Sequence, residues 1–381
     1  MPTNDDRAPD TAPRGRRRRG RRIAAGVLSV AAAGGLAMGL QLARSAPSAP
    51  IRSAQTGVAR GSTRLDAAVA PAISARRADA GMPRYYVISL TAGPDVLQVR
   101  SSATGKVVST VVKPAVCDDK SFRIAAAGND RDFVVGCETP QSTTQAIAFY
   151  RLRIDTSGRA SALRPLAIRT PADALNDLAL TPDGRRLAIG MQGFNGAPGA
   201  LEVVTLATRR VRTWTGGSPF DLSWVGNGRE LAFFGSAGLY RLNPNAAGGK
   251  LGSARLVLSR TFGSDDVQEA RLSPDGTTII ASVTSGNLSV PLHRGSVVGG
   301  VDEISARTGR LLRTLLTQHA HYSTDGGGNE AGWYVTACLL GPVDTTGQHL
   351  LVGCDRFGRL DRTRFTALPG VARDTYFAAA W

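Results

Sequence analysis

The eleven residues LTPDGRRLAIG (Leu180–Gly190) return almost unchanged as LSPDGTTIIAS (Leu272–Ser282). A phrase spelled twice in one chain marks a repeated supersecondary unit, and nothing else in the sequence restricts the fold as much. Each copy reads as a hairpin. Leu178 and Leu180 alternate with Asp177 and Ala179 before TPDG, and Leu187 and Ile189 resume the alternation after it. Within the turn, Pro182 presets φ, Asp183 suits the next position, and Gly184 can take the left-handed conformation that ends it. Ala270, Leu272, SPDG, Ile279 and Ala281 repeat the pattern.

Asp183 and Asp275 lie 92 residues apart, so a degenerate copy is expected half-way. DLSWVGNGRELAFFG (Asp221–Gly235) is that copy, with Asn227 in the Asp place and steps of 44 and 48 residues. Repeats of about 40–50 residues, each a short meander of strands, predict the blades of a propeller. The same hairpin appears upstream as FRIAAAGNDRDFVVG (Phe122–Gly136) and downstream as LLGPVDTTGQHLLVG (Leu339–Gly353). Near the start, YYVISL and VLQVRSSATGKVVSTVV supply three strands, with no preceding inner strand. The missing one is expected at the far end, where DTYFAAAW (Asp374–Trp381) matches PFDLSW (Pro219–Trp224) and stops. The fold class is therefore all-β: a six-bladed propeller of four-stranded antiparallel blades over residues 84–381, closed by the C-terminal strand. Closure removes the exposed edges an open sheet would leave.

TPDGRRLAIG and SPDGTTIIAS resemble the repeats of TolB-like and WD-repeat-like bacterial propellers, over roughly residues 84–381. The GH…WD pair of standard WD repeats is absent. The resemblance implies a fold that hosts binding scaffolds, sensors and some hydrolases, so function does not follow from it.

The formal net charge of +16 is concentrated outside the repeats. Residues 1–22 carry eight Arg against three Asp, and residues 44–84 carry seven Arg against two Asp. The rest of the chain keeps only a mild excess, so a nucleic-acid partner is not expected. After Arg14–Arg22 comes IAAGVLSVAAAGGLAMGLQLA (Ile23–Ala43), which has no charge. About 20 such residues cross a bilayer core, and the preceding Arg cluster keeps its end cytoplasmic. Expected domains are a basic cytoplasmic tail (1–22), a transmembrane signal anchor (23–43), a flexible linker rich in Ala, Ser, Pro and Arg (44–83), and an extracytoplasmic propeller (84–381). Secretion after cleavage of the apolar segment is the competing reading.

Cys117, Cys137, Cys338 and Cys354 form no CxxC pair, which excludes a zinc ribbon. In an exported chain an even count points to disulfides. Cys338 and Cys354 are equidistant from the DTTG turn, so they face each other across a hairpin; Cys117 and Cys137 flank GNDRD less symmetrically. Four buried thiols are the bland alternative.

Catalytic signatures are absent: GxSxG, HExxH, a Walker loop and an EF-hand loop do not occur. QHAHYSTDGGGNEAGWY (Gln318–Tyr334) is the one stretch with metal-ligand chemistry. His319 and His321 would be the ligands, with Asp325 or Glu330 as oxygen donors. A solvated Gly-rich loop is the simpler reading and the preferred one. His293 and Arg294 stand in a second long loop, read as a disordered hairpin tip. Arg356, Arg359, Arg362 and Arg364 in the last blade read as charges guarding an outer strand. Trp214, Trp224, Trp333 and Trp381 fall one per blade region, as core or closure residues. The sequence thus predicts a non-catalytic binding module without a cofactor, meeting a protein or cell-envelope polymer through its loops. The alternative is a propeller hydrolase or lactonase with a metal in the central channel.

Overall fold

The computed structural model describes residues 81–381 apart from 91–94, 118–121, 140–145, 171–172, 194–196, 264, 286–297, 320–337, 355 and 372–376. The tail, the apolar segment 23–43 and most of the linker lie outside the described residues. Among the described residues no helix is long and apolar enough to cross a membrane.

The repeated phrase forms the expected hairpin for the expected local reasons. Gly184 has φ 69° and Gly276 φ 72°, which suit glycine. Asp183 accepts from the Thr181 hydroxyl at 2.6 Å and the Arg185 amide at 3.0 Å. Asp275 accepts likewise from Ser273 at 2.6 Å and Thr277 at 3.1 Å. VGNG is a different turn: without proline, Gly226 and Asn227 both take positive φ, at 59° and 56°.

Six antiparallel sheets follow one another as blades. Their inner strands are Phe377–Ala380 (blade 1), Arg123–Ala126 (blade 2), Ala174–Leu180 (blade 3), Phe220–Val225 (blade 4), Asp265–Leu272 (blade 5) and Leu339–Val343 (blade 6). Each inner strand approaches the next, and the last returns to the first, so the ring closes. Closure occurs as expected. Phe377–Ala380 pairs antiparallel with Tyr85–Leu90, with Val87 opposite Ala380 and Leu90 opposite Phe377. Two sheets exceed four strands, because Gly249–Lys250 adds a parallel edge to blade 3 and Thr261–Phe262 precedes the inner strand of blade 5.

Apolar side chains fill the six interfaces between blades. Val87, Leu97 and Val99 of blade 1 meet Phe133, Val135 and Leu152 of blade 2. Tyr86, Ile88 and Trp381 of blade 1 meet Leu351, Phe357 and Leu368 of blade 6. Trp214, Trp224 and Trp381 are buried in such interfaces, as expected; Trp333 lies outside the described residues.

Both disulfides form, Cys338–Cys354 and Cys117–Cys137. The first crosses the opening hairpin of blade 6 next to the Leu339–Gly353 pair. The second is not a cross-hairpin bridge. Cys117 sits in the turn after the outer strand of blade 1, Val107–Val112, so the bond ties the blade connection onto blade 2.

The arginines of blade 6 are not all edge guards. Arg359 is mostly buried, pairs with Asp361 at 2.8 Å and donates to the Ser102 carbonyl of blade 1 at 2.5 Å. Arg100 of blade 1 reaches back, donating to the carbonyls of Pro369 at 2.7 Å and Gly370 at 2.9 Å. These bonds reinforce the joint that the closing strand makes.

Candidate site in the central channel

Seven residues before the left-handed turn residues Asp130, Gly184, Gly228, Gly276 and Gly347 stand Arg123, Asp177, Asp221, Glu269 and Leu340. Ala378 holds the corresponding place in blade 1. All six line one cavity of about 400 Å³ on the axis, at the end where the inner strands begin. The pairing register slips just beside this position in blades 3, 4, 5 and 6. Such bulges bend a strand and re-aim its side chains, here toward the axis. Asp221 shows the strain, with φ 50°.

The three acids also join the blades. Asp177 accepts the Leu222 amide at 2.7 Å, Asp221 the Ala270 amide at 3.2 Å, and Glu269 the Leu340 amide at 2.5 Å. Each bond runs from one blade to the next. Arg271 comes two residues after Glu269, where blades 2, 3 and 4 carry Ala125, Ala179 and Ser223. Its guanidinium pairs with Asp177 at 3.5 Å and Asp221 at 3.4 Å, and donates to the carbonyls of Leu222 at 2.9 Å and Leu340 at 3.1 Å. One side chain therefore bridges blades 3, 4, 5 and 6.

Burial pushes the Asp221 carboxyl well above its ordinary value, and Glu269 pushes it further, against the attraction of Arg271. Burial likewise raises Glu269 to about 7, opposed by the Leu340 amide and Arg271. Burial alone would lower the Arg271 pKa, but Asp177, Asp221 and Glu269 outweigh it and hold the guanidinium charged. Ile124, Asp177, Arg271 and Ala379 also line a second cavity of about 150 Å³ at the turn end. Arg271 and Asp177 thus stand where the two cavities meet.

The residues singled out from the sequence are elsewhere. His319 ends the outer strand of blade 5, Leu311–His319, opposite Val298, away from the channel. His321, Asp325, Glu330, His293 and Arg294 lie outside the described residues. Among the described residues no three His, Cys, Asp or Glu side chains stand together as a metal site. The channel acids were missed because each looked like the polar partner in an alternating strand. The signal was their shared register, an acid at the same offset in three repeats.

A second buried acid recurs off the axis. Glu202 in blade 3 and Asp302 in blade 5 occupy equivalent places, opposite Thr213 and Thr314. Glu202 is 5% exposed, accepts from Thr213 at 3.4 Å, and leaves Oε2 without a partner. Burial, then Asp173, raises its pKa from 4.5 to about 7. The folded chain holds this proton more tightly than the unfolded one, so the associated stability is full below pH 4.5 and is lost as pH rises through about 7. Glu202→Gln removes that loss. Its melting temperature at pH 8 is expected to exceed wild type by about 3 °C or more, with little difference at pH 4.5. An equal shift at both pH values would show that the charge is not the cause.

No protein-family model matches the sequence, and no curated protein matches it. Solved structures do resemble the fold. TolB from Acinetobacter baumannii has 17% identity and a TM-score of 0.47 over 78% of this chain, which spans 65% of the TolB chain. The periplasmic gluconolactonase PpgL of Pseudomonas aeruginosa has 16% identity and a TM-score of 0.43, covering 77% of this chain and 98% of that one. An oligogalacturonate lyase in complex with manganese has 12% identity and a TM-score of 0.42, covering 74% and 73%. The chain is a six-bladed β-propeller. The likeness is one of fold alone.

Proposed function

We propose that the chain is a membrane-anchored, extracytoplasmic propeller that binds a protein or a cell-envelope polymer and carries out no catalysis. The observation that supports this most is Arg271. Its guanidinium stands on the channel axis among the acids that a catalytic metal would need, and those acids already accept amides from the next blade. Two disulfides favour an oxidising compartment outside the cytoplasm. The apolar segment after the Arg cluster supplies the anchor.

A hydrolase is the second reading, and Glu269 is the observation in its favour. It lines the wide cavity with a pKa of about 7, suited to general acid–base chemistry. Metal analysis separates the two. Full-length protein, recovered from the membrane fraction in detergent, is expected to carry no stoichiometric Ca²⁺ or Zn²⁺. A stoichiometric metal that is lost on replacing Asp177 and Glu269, which line the channel, would move the chain to the enzyme class. Recovery in the soluble fraction would remove the anchor.

A further inference from the structure

The outer rim carries a groove of about 530 Å³ between blades 2 and 3, with two walls. Ala167, Ile168 and Arg169 form one, in the connection after the outer strand of blade 2, Arg164–Leu166. Val204, Arg209 and Val211 form the other, in the outer hairpin of blade 3. Ile168 and Val204 belong to the apolar packing between the two blades, so the floor of the groove continues that core. Val211, paired with Val204 in the ladder, is 43% exposed. Each wall carries one exposed guanidinium. Among the described residues no carboxylate pairs with Arg169 or Arg209, and none lines the groove.

Arg209 stands where a side chain has a cost. The outer hairpin of blade 1 turns at Ser101–Gly105 and that of blade 5 at Ser305–Gly309, each closed by the glycine amide on the serine carbonyl at 2.8 Å. Gly105 and Gly309 take φ 69° and 63°, in the left-handed region that favours glycine. Blade 3 makes the same turn at Thr205–Arg209, closed at 2.7 Å, with Arg209 at φ 58°. Left-handed backbone is costly for a residue with a Cβ, and such strain gathers at functional sites. The turn itself calls for glycine, so the turn does not explain the arginine.

We propose that the groove binds an extended acidic segment of a partner protein, which sets one apolar side chain against Ile168 and Val211 and carboxylates against Arg169 and Arg209. Burial of the apolar side chain supplies affinity, and the guanidinium–carboxylate bonds fix its position and exclude basic segments. The apolar residues are recessed between two walls, where a single extended chain fits and a flat lipid surface does not follow. The inference goes beyond the role proposed above and does not depend on it, since an enzyme with its site in the channel could carry the same groove.

The probe is a fluorescein-labelled pentapeptide, one leucine between two pairs of glutamates, titrated by anisotropy with the full-length protein. The protein is held in phosphatidylcholine nanodiscs or in buffer, according to the fraction in which it is recovered. Saturable binding is expected. A peptide with serine for the leucine should bind at least about tenfold more weakly, and one with lysines for the glutamates should not saturate. Arg209→Gly restores the residue that blades 1 and 5 use in this turn, so it should fold as wild type does and bind about fivefold more weakly. Adding Arg169→Gln, a change at an exposed connection, should leave no saturable binding. No saturable binding to wild type, equal affinity for the leucine and serine peptides, or unchanged affinity in the double variant overturns the proposal. Flotation with phosphatidylglycerol vesicles that Arg209→Gly reduces, without peptide binding, would give the groove to a lipid surface and overturn it too.

Discussion

A chain lacking residues 374–381 is expected to lose its cooperative unfolding transition and to aggregate. Those few residues end the chain, yet they hold the first blade. Phe377–Ala380 supplies its inner strand, paired to Tyr85–Leu90 across nearly the whole domain. Without it, Tyr85–Leu90 presents an unpaired edge to the channel. The joint between blades 6 and 1 also loses Trp381, packed with Tyr86, Ile88, Leu351 and Phe357. Truncating a buried Trp to Ala costs about 3–5 kcal/mol, and whole-domain stability is about 5–15 kcal/mol. The lost strand hydrogen bonds and newly exposed apolar faces add to that. Scanning calorimetry and size-exclusion chromatography read the result. A truncated chain that stays monomeric with an unchanged melting temperature would show that the ring closes some other way. Arg100 and Arg359 also join blades 6 and 1, but three carbonyl bonds do not replace a strand.

Arg271→Ala is expected to cost about 3–5 kcal/mol, the range for a buried ion pair broken from one side. The Arg271 and Asp221 side chains are 12% and 8% exposed. Removing the guanidinium leaves Asp177 and Asp221 facing each other and frees the carbonyls of Leu222 and Leu340. The loss depends on pH, and the sign follows from the raised carboxyl values of Asp221 and Glu269. At low pH these groups take up protons and the repulsion fades. As pH rises through the Glu269 value of about 7, more of this buried charge ionises and the penalty grows. Urea midpoints of wild type and variant at pH 5 and pH 8 measure this, and the gap should be wider at pH 8. A gap under about 1 kcal/mol at pH 8 would mean that Arg271 does not organise the axis. Arg271→Met combined with Asp221→Asn should recover part of the loss, because it removes charge from both sides of the pair.

Blade number, hairpin positions and ring closure were legible because they rest on local chemistry. Pro182, Asp183 and Gly184 specify their turn within four residues, and Thr181 completes it. Alternating apolar residues specify the strands on either side. Even closure across the whole chain was legible, since DTYFAAAW carries the inner-strand pattern and the first blade lacks a preceding inner strand. The cysteine pairs were legible as pairs, and the geometry of Cys117–Cys137 was not. Spacing says that two thiols are near in sequence, while the path of the blade connection decides which elements they join.

Tertiary structure alone decided the channel. Asp177, Asp221 and Glu269 belong to three blades separated by 44 and 48 residues, and they meet Arg271 only once six inner strands stand around one axis. Which face of an inner strand looks inward depends on bulges that one-residue register shifts create, and an alternating pattern reads the same on either face. Turn chemistry acts over a few residues and is written in the sequence. Convergence on the axis is a sum over six blades, and only the closed ring fixes it.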